Sequence, residues 1–292
     1  MPEDRRRGSD AATRPARWRR PRAGGAAALY LGVSIALILT LLPFAWMTLG
    51  SLKTEAELSL LPPTFLPLQP TLDNYATWLT QLDYPLHLFN SLLVAVVVVA
   101  GNLVFCTMFG YALAKLDFPG KRALFLLVLG TLMVPGIVTM IPLFVLVANL
   151  GMANTYPALI LPFVAAPLGV FLMRQYILSI PDSLLEAARI DGAGEFRILG
   201  RIVIPLCGAP LATLAILTFL ASWNNFLWPL VVAQSESMYT LPVALALYSI
   251  GPSGIQYGLL MAGTVLVLAP ILLLFVVLQR FVIRGIATTG IR

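Results

Sequence analysis

Six apolar stretches dominate this chain, at about residues 26–49, 88–114, 123–148, 157–177, 209–233 and 258–279. Each reaches the roughly 20 residues that a helix needs to cross the hydrocarbon core of a bilayer. No water is present there to pair with backbone N–H and C=O groups, so a single spanning segment can satisfy them only as a helix. The stretches therefore predict an all-α polytopic membrane protein with six transmembrane helices. A mean hydropathy of +0.89 agrees, as do the 11% of charged residues, against about a quarter in soluble domains. With 292 residues the connections must be short, and no large additional domain fits.

Charge placement sets the orientation. Residues 1–25 hold eight arginines (Arg5, Arg6, Arg7, Arg14, Arg17, Arg19, Arg20 and Arg22) against three acids, with Pro, Gly and Ala between them. That composition predicts a basic, disordered tail ahead of a transmembrane domain over 26–292. The first apolar stretch is too long for the core of a secretory signal and shows no clear cleavage site, so it reads as an uncleaved span. With the tail in the cytoplasm, Lys115, Lys121, Arg122, Arg174, Arg189, Arg197, Arg201, Arg280, Arg284 and Arg292 also fall inside, and only Lys53 falls outside. Basic residues concentrate in cytoplasmic loops, so both termini are expected in the cytoplasm.

Several function classes lose support. No stretch carries Asp, Glu, Lys or Arg near its centre, where an ion-coupled carrier would bind its proton or cation. The segment Pro119–Arg122 (PGKR) lacks the upstream glycine and the hydroxyl residue of a phosphate-binding P-loop. No nucleophile–base pair or metal spacing is present. The chain is thus expected to be non-catalytic, with no cofactor of its own and no nucleic-acid partner. Cys106 and Cys207 do not suggest a disulfide framework, and the single histidine, His87, reads as an interfacial ring rather than a ligand. Pro135, Pro142, Pro162, Pro167 and Pro270 predict kinks within the spans. Asn90 and Asn102 read as interhelical hydrogen-bonding groups. Asn224 and Asn225, flanked by Trp223 and Trp228, leave two readings open: the same bonding, or contact with sugar hydroxyls and CH faces along a solute path.

One charged island interrupts the apolar pattern. EAARIDGAGEFRILGRIVIP (Glu186 to Pro205) holds six of the chain's charges and reads as a short helical hairpin over about 181–205. Ser183 and Glu186 fit a capping box, and Gly192 suits a left-handed helix end. A second helix through Phe196, Leu199, Ile202 and Val203 is expected to merge into the fifth span. Ala187 and Ala188 would let a partner approach closely; an amphipathic helix resting on lipid headgroups is the alternative.

The spacing of this island resembles the cytoplasmic EAA loop of ABC-transporter permease subunits, EAA-x3-G-x9-I-x-L-P: Glu186, Ala187 and Ala188, then Gly192, Ile202 and Pro205. Ile204 stands where the family usually has Leu. SLKT at Ser51–Thr54, PTLDNY at Pro70–Tyr75, NSL at Asn90–Leu92, YALAKLDFPGK at Tyr111–Lys121, LPFVAAPLGVFLMRQY ending at Tyr176, TFLASWNNFLWPL at Thr218–Leu230, YTLPVAL at Tyr239–Leu245 and QRFVIRGI at Gln279–Ile286 extend the likeness. They narrow it to the carbohydrate permeases, in particular the maltose-type second permease subunit. The resemblance implies an inner-membrane permease subunit of a carbohydrate importer, working with a homologous second permease, a dimeric ATPase that carries ATP and Mg, and an extracytoplasmic solute-binding protein. It implies that Glu186, Ala187, Ala188, Asp191, Gly192, Ile202 and Pro205 couple the spans to that ATPase, Glu186 as charged anchor and Gly192 as the turn. The alternatives are a stand-alone secondary carrier or channel, and the same assembly importing a glycerol-phosphate-type or amino-sugar solute.

Overall fold

The computed structural model describes residues 23–251 and 254–289. The expected basic tail lies, over residues 1–22, outside the described residues, as does Arg292. The chain divides into two units, residues 1–46 and residues 47–292. Helix α1, Ala23–Ser51, carries Pro43, and its apolar side chains from Leu29 to Phe44 are exposed.

After α1 the chain makes two short helices, α2 (Glu55–Leu58) and α3 (Asp73–Thr80). Polar satisfaction explains the order. Thr54 caps α2. Lys53 is buried and donates to the Thr64 carbonyl and, at 2.9 Å, to the Thr64 hydroxyl. Glu57 lies 3.7 Å from that ammonium and accepts from Thr64 Oγ1 at 2.8 Å and Leu68 N at 3.0 Å. Burial works to raise the Glu57 pKa, but the Leu68 amide and the Thr64 hydroxyl outweigh it and hold the carboxyl below its ordinary value. Lys53, the one basic residue that the charge pattern does not assign to the cytoplasm, is thus buried and paired. Trp78 of α3 is fully buried and donates from Nε1 to Leu259 O at 2.8 Å.

The central element is α4, Tyr84–Lys115, 32 residues long. The expected third span is instead two helices, α5 (Lys121–Met133) and α6 (Gly136–Asn149), bent by 105° at Val134–Pro135. Next come α7 (Tyr156–Ile160), a 3-10 turn, and α8 (Pro167–Leu178); then α9 (Asp182–Ile190), α10 (Glu195–Ile198), a π-helical stretch over Leu199–Val203 and α11 (Ile204–Leu206). Helices α12 (Gly208–Trp223), α13 (Leu227–Val232), α14 (Leu241–Tyr248) and α15 (Tyr257–Thr289) complete the chain. The fold is mostly helical; a two-residue ladder, β1 (Ile250–Gly251) with β2 (Gly254–Ile255), joins α14 to α15. Three helical segments are long and apolar enough to cross a membrane, or five if each bent pair is one span, among the described residues.

Two expectations fail for reasons that proline explains. The second hairpin helix does not run smoothly into the fifth span: the chain turns by 83° between Leu206 and Gly208. Pro205 cannot donate within an α-ladder, and the preceding residues widen to π-helix. Pro210 likewise cannot pair with Leu206 O. The fifth span does not continue to residue 233 either. It ends at Trp223, because Pro229 lacks the N–H that would bond Asn225 O and its ring would strike that carbonyl.

Helix α4 packs most extensively on α8 and next on α12. Gly110 permits the first contact: a Cβ there would lie 2.8 Å from Met173 Cβ and 2.9 Å from Arg174 N. Asn102 permits the break between α7 and α8. Around Val164–Ala166 the helical ladder is interrupted. Asn102 Nδ2 donates to Phe163 O at 2.6 Å, and its Oδ1 accepts from Ala166 N at 2.9 Å. Asn90 acts alike, donating to Ser237 O and Tyr239 O and accepting from Tyr156 OH. Both amides are interhelical links, as expected. His87, in the first turn of α4, is buried beside Tyr239 and Tyr248. Cys106 and Cys207 are buried and free.

Asn102→Leu should leave the half-buried Phe163 carbonyl and Ala166 amide unpaired, at up to about 1–3 kcal/mol each. The expected result is a lower melting temperature of the detergent-purified chain; an unchanged value would show that the amide does not hold the break.

Candidate functional site: the charged hairpin and an uncharged cavity

The hairpin over 181–205 begins differently from the expected capping box. Helix α9 starts at Asp182, with Pro181 as N-cap and no side-chain cap bond. Ser183 is therefore inside the first turn, and Glu186 is too far along to reach back. The base of the helix is held from α4 instead: Lys115 Nζ, nearly buried, donates to Ile180 O at 2.6 Å and to Asp182 Oδ1 at 2.7 Å.

The far end closes as the glycine suggests. Gly192 has φ +81°, Ala193 N bonds Ala188 O and Gly192 N bonds Arg189 O, both at 3.0 Å. This is the Schellman pattern, with a residue that takes the left-handed conformation at little cost. Glu195 then ties the hairpin to itself and to α4. It accepts from Arg189 Nε at 2.8 Å, and the Tyr111 hydroxyl donates to its other oxygen. Tyr111 and Lys115 are four residues apart on α4, so they share one face at its end.

What remains outward is specific. Leu185 is buried and Ala188 packs against the core, while Ala187, Asp191 and Gly192 are exposed. The Glu186 side chain is exposed with no partner among the described residues. Ile190 and Phe196 are 86% and 80% exposed, which leaves two large apolar side chains in the open beside an unpaired carboxylate. Ile202 packs on the core and Pro205 is exposed. The motif gave no reason to single out Tyr111, Lys115, Asp182, Ile190 or Phe196. The i, i+4 spacing of Tyr111 and Lys115 was legible, but not its partner.

The four solute-path candidates are not brought together. Trp223 is buried and stacked on Phe219, with centroids 5.5 Å apart. Trp228 is buried in another cluster, donating from Nε1 to Ala158 O at 3.0 Å. Asn224 is exposed, and its Nδ2 donates back to Leu220 O at 2.9 Å. Asn225 alone lines a cavity of about 230 Å³, whose other polar groups are Ser91, Thr218, Ser222 and Thr240. No charged residue lines it. The Thr240 hydroxyl is buried there with no hydrogen-bond partner among the described residues.

Hydrogen bonds from Lys115 hold the Asp182 carboxyl below its ordinary value of 3.8, and those from Arg189 and Tyr111 hold Glu195 below 4.5. Both folded values are depressed, so the stabilisation is present above the ordinary values and is lost as pH falls through the folded ones. Hydrogen exchange of residues 181–205 should be insensitive to this effect between about pH 8 and pH 5 and should show loosening only in stronger acid. Lys115→Met should loosen the same amides at neutral pH by about tenfold, since Ile180 O loses a charged donor. Equal protection in both proteins would dismiss the anchor.

A family described as "Binding-protein-dependent transport system inner membrane component" matches residues 106–288. The arabinooligosaccharides transport system permease protein AraQ of Halalkalibacterium halodurans is 42% identical over 267 residues, covering 90% of this chain and 95% of that one. The sn-glycerol-3-phosphate transport system permease protein UgpE of Yersinia enterocolitica is 36% identical, covering 70% and 73%. A solved structure described as a bacterial ABC transporter involved in the import of the acidic polysaccharide alginate includes a chain that matches with a TM-score of 0.77 and 25% identity, over 88% of this chain and 95% of that one. The chain belongs to the binding-protein-dependent transport system inner membrane components, the permease subunits of ABC importers.

Proposed function

We propose that the chain forms half of the translocation pathway of a carbohydrate importer, with six spans, both termini in the cytoplasm, and α9 as the handle its ATPase grips. The observation that carries this reading is the form of the hairpin: fixed at its base, closed by Gly192, and presenting Glu186, Ala187, Ile190 and Phe196 outward. A segment that must transmit force needs rigid ties to what it moves. Here the ties run to Tyr111 and Lys115, at the end of the helix that packs on α8 and α12.

Glu186 serves as the charged anchor, free because it does not cap its own helix. Ala187 and Ala188 allow close approach, and Asp191, Gly192, Ile202 and Pro205 keep the turn and its continuation in shape. ATP and Mg reside on the partner ATPase, a dimer. A homologous second permease completes the pathway, and an extracytoplasmic solute-binding protein delivers the cargo. ATP-driven closure biases the spans only if the ATPase holds the inward- and outward-facing forms with different affinity. The cavity at Asn225 has a mostly apolar wall set with five uncharged hydroxyl and amide groups and no charge, which supports a neutral solute with hydroxyls and CH faces over a phosphorylated one such as the glycerol phosphate in UgpE's name.

In the assembled importer, Gly192→Asp strains the left-handed turn and Glu186→Lys reverses the anchor charge. Each should abolish solute uptake while membrane levels stay normal and ATP hydrolysis no longer responds to the loaded binding protein. Normal uptake with both changes would refute the coupling role. The chain reconstituted alone should show no gradient-driven flux of sugar; measurable flux would favour a stand-alone carrier.

A further inference from the structure

The loop after α4, the start of α5 and Arg174 of α8 line a second, open pocket of about 700 Å³ that the transport reading does not use. Its lining divides by chemistry. Phe118, Phe125 and Leu126 form apolar wall, and Lys121, Arg122 and Arg174 supply three cations. Arg174 is set in place from within the chain: Nε donates to Leu113 O at 3.2 Å, and the guanidinium carbon lies 3.7 Å from the Phe125 ring centroid. Phe125 in turn stacks on Phe171. The two terminal guanidinium nitrogens of Arg174 have no acceptor among the described residues.

Lys121 makes two long contacts, 3.4 Å each, to Ala114 O and to the solvent-exposed Asp117 carboxylate. Arg122 is exposed and unpaired among the described residues. The start of α5 opens on the same lining. The Arg122 and Ala123 amides precede its first intrahelical bond, from Leu124 N to Gly120 O, and so add the positive end of a 13-residue helix. Three cations against one acid, plus free amides, describe a phosphate cradle.

We propose that this pocket binds an anionic phospholipid of the cytoplasmic leaflet, its phosphate on Lys121, Arg122 and Arg174 and one acyl chain against Phe118, Phe125 and Leu126. The choice of leaflet rests on the charge-based orientation above. The apolar wall selects lipid over a free phosphate ion, and it continues into the exposed Leu124 and Leu127 of α5, a surface on which an acyl chain can lie.

The test measures lipid retained by the intact assembly, purified in parallel from nanodiscs containing phosphatidylglycerol or phosphatidylethanolamine. Phosphatidylglycerol should be retained preferentially, and Arg174→Gln and Arg122→Gln should each lower its retention about fivefold. Arg122→Gln removes only a solvent-facing charge, so its effect cannot come from a disturbed fold. Equal retention of the two lipids, or unchanged retention in both variants, would overturn the proposal. So would inorganic phosphate alone reproducing the full thermal stabilisation given by the lipid, since the occupant would then be an aqueous anion. No ATP or solute enters the measurement, so its failure and failure of the transport reading are distinguishable.

Discussion

The hydrogen bonds that the Asn102 amide makes to Phe163 O and from Ala166 N express the constraint on which the rest of this structure depends. A helix crossing lipid can stop and restart only where something replaces its lost backbone bonds. Asn102 does so for Phe163 O and Ala166 N, on either side of the break between α7 and α8. Asn90 and Ser91 do the same for the approach to α14, receiving or donating at Ser237 O, Tyr239 O and Leu241 N. All three side chains lie on α4. That helix is thus a continuous rod against which broken segments are registered, and its polar residues are seams between elements.

The same rod carries the charged hairpin. Tyr111 and Lys115 extend the polar face of α4 to its last turn, where they hold Glu195, Asp182 and Ile180 O. One helix therefore bears both the internal breaks and the outward handle. The polar links also explain why Glu186 is unpaired. Two of the hairpin's acids, Asp182 and Glu195, are used up by Lys115, Tyr111 and Arg189, which leaves Glu186 and Asp191 as the carboxylates available to another chain.

Much of this was legible in the sequence because it follows from short-range rules. Apolar runs marked the membrane class, Gly192 marked its turn, and the motif spacing marked the hairpin. What was not legible depends on tertiary partners or on the position of a proline relative to a ladder. A capping box at Ser183 and Glu186 is locally reasonable, yet it loses to Pro181 and to a lysine 67 residues earlier. The spans at 123–148 and 209–233 have the right composition, but Pro135 and Pro229 break them. Hydropathy counts residues and is blind to which carbonyl a proline would face. Asn224 and Asn225 looked equivalent as neighbours, whereas the helix end at Trp223 sends one to solvent and the other to a cavity.

That divergence ties the breaks to function. A continuous fifth helix would bury its backbone in its own ladder and present side chains only along one stripe. By ending at Trp223 and restarting at Leu227, the chain turns Asn225 toward Ser222 and Thr218, one and two turns below, and toward Thr240 and Ser91 from other segments. Five uncharged polar side chains from three parts of the chain then converge on one volume. Convergence of this kind costs helical continuity, and Asn224 repays part of it locally by bonding Leu220 O. Proline placement and amide repair are therefore one device: proline opens the backbone where uncharged polar groups must reach a cavity, and neighbouring amides keep the opening compatible with lipid.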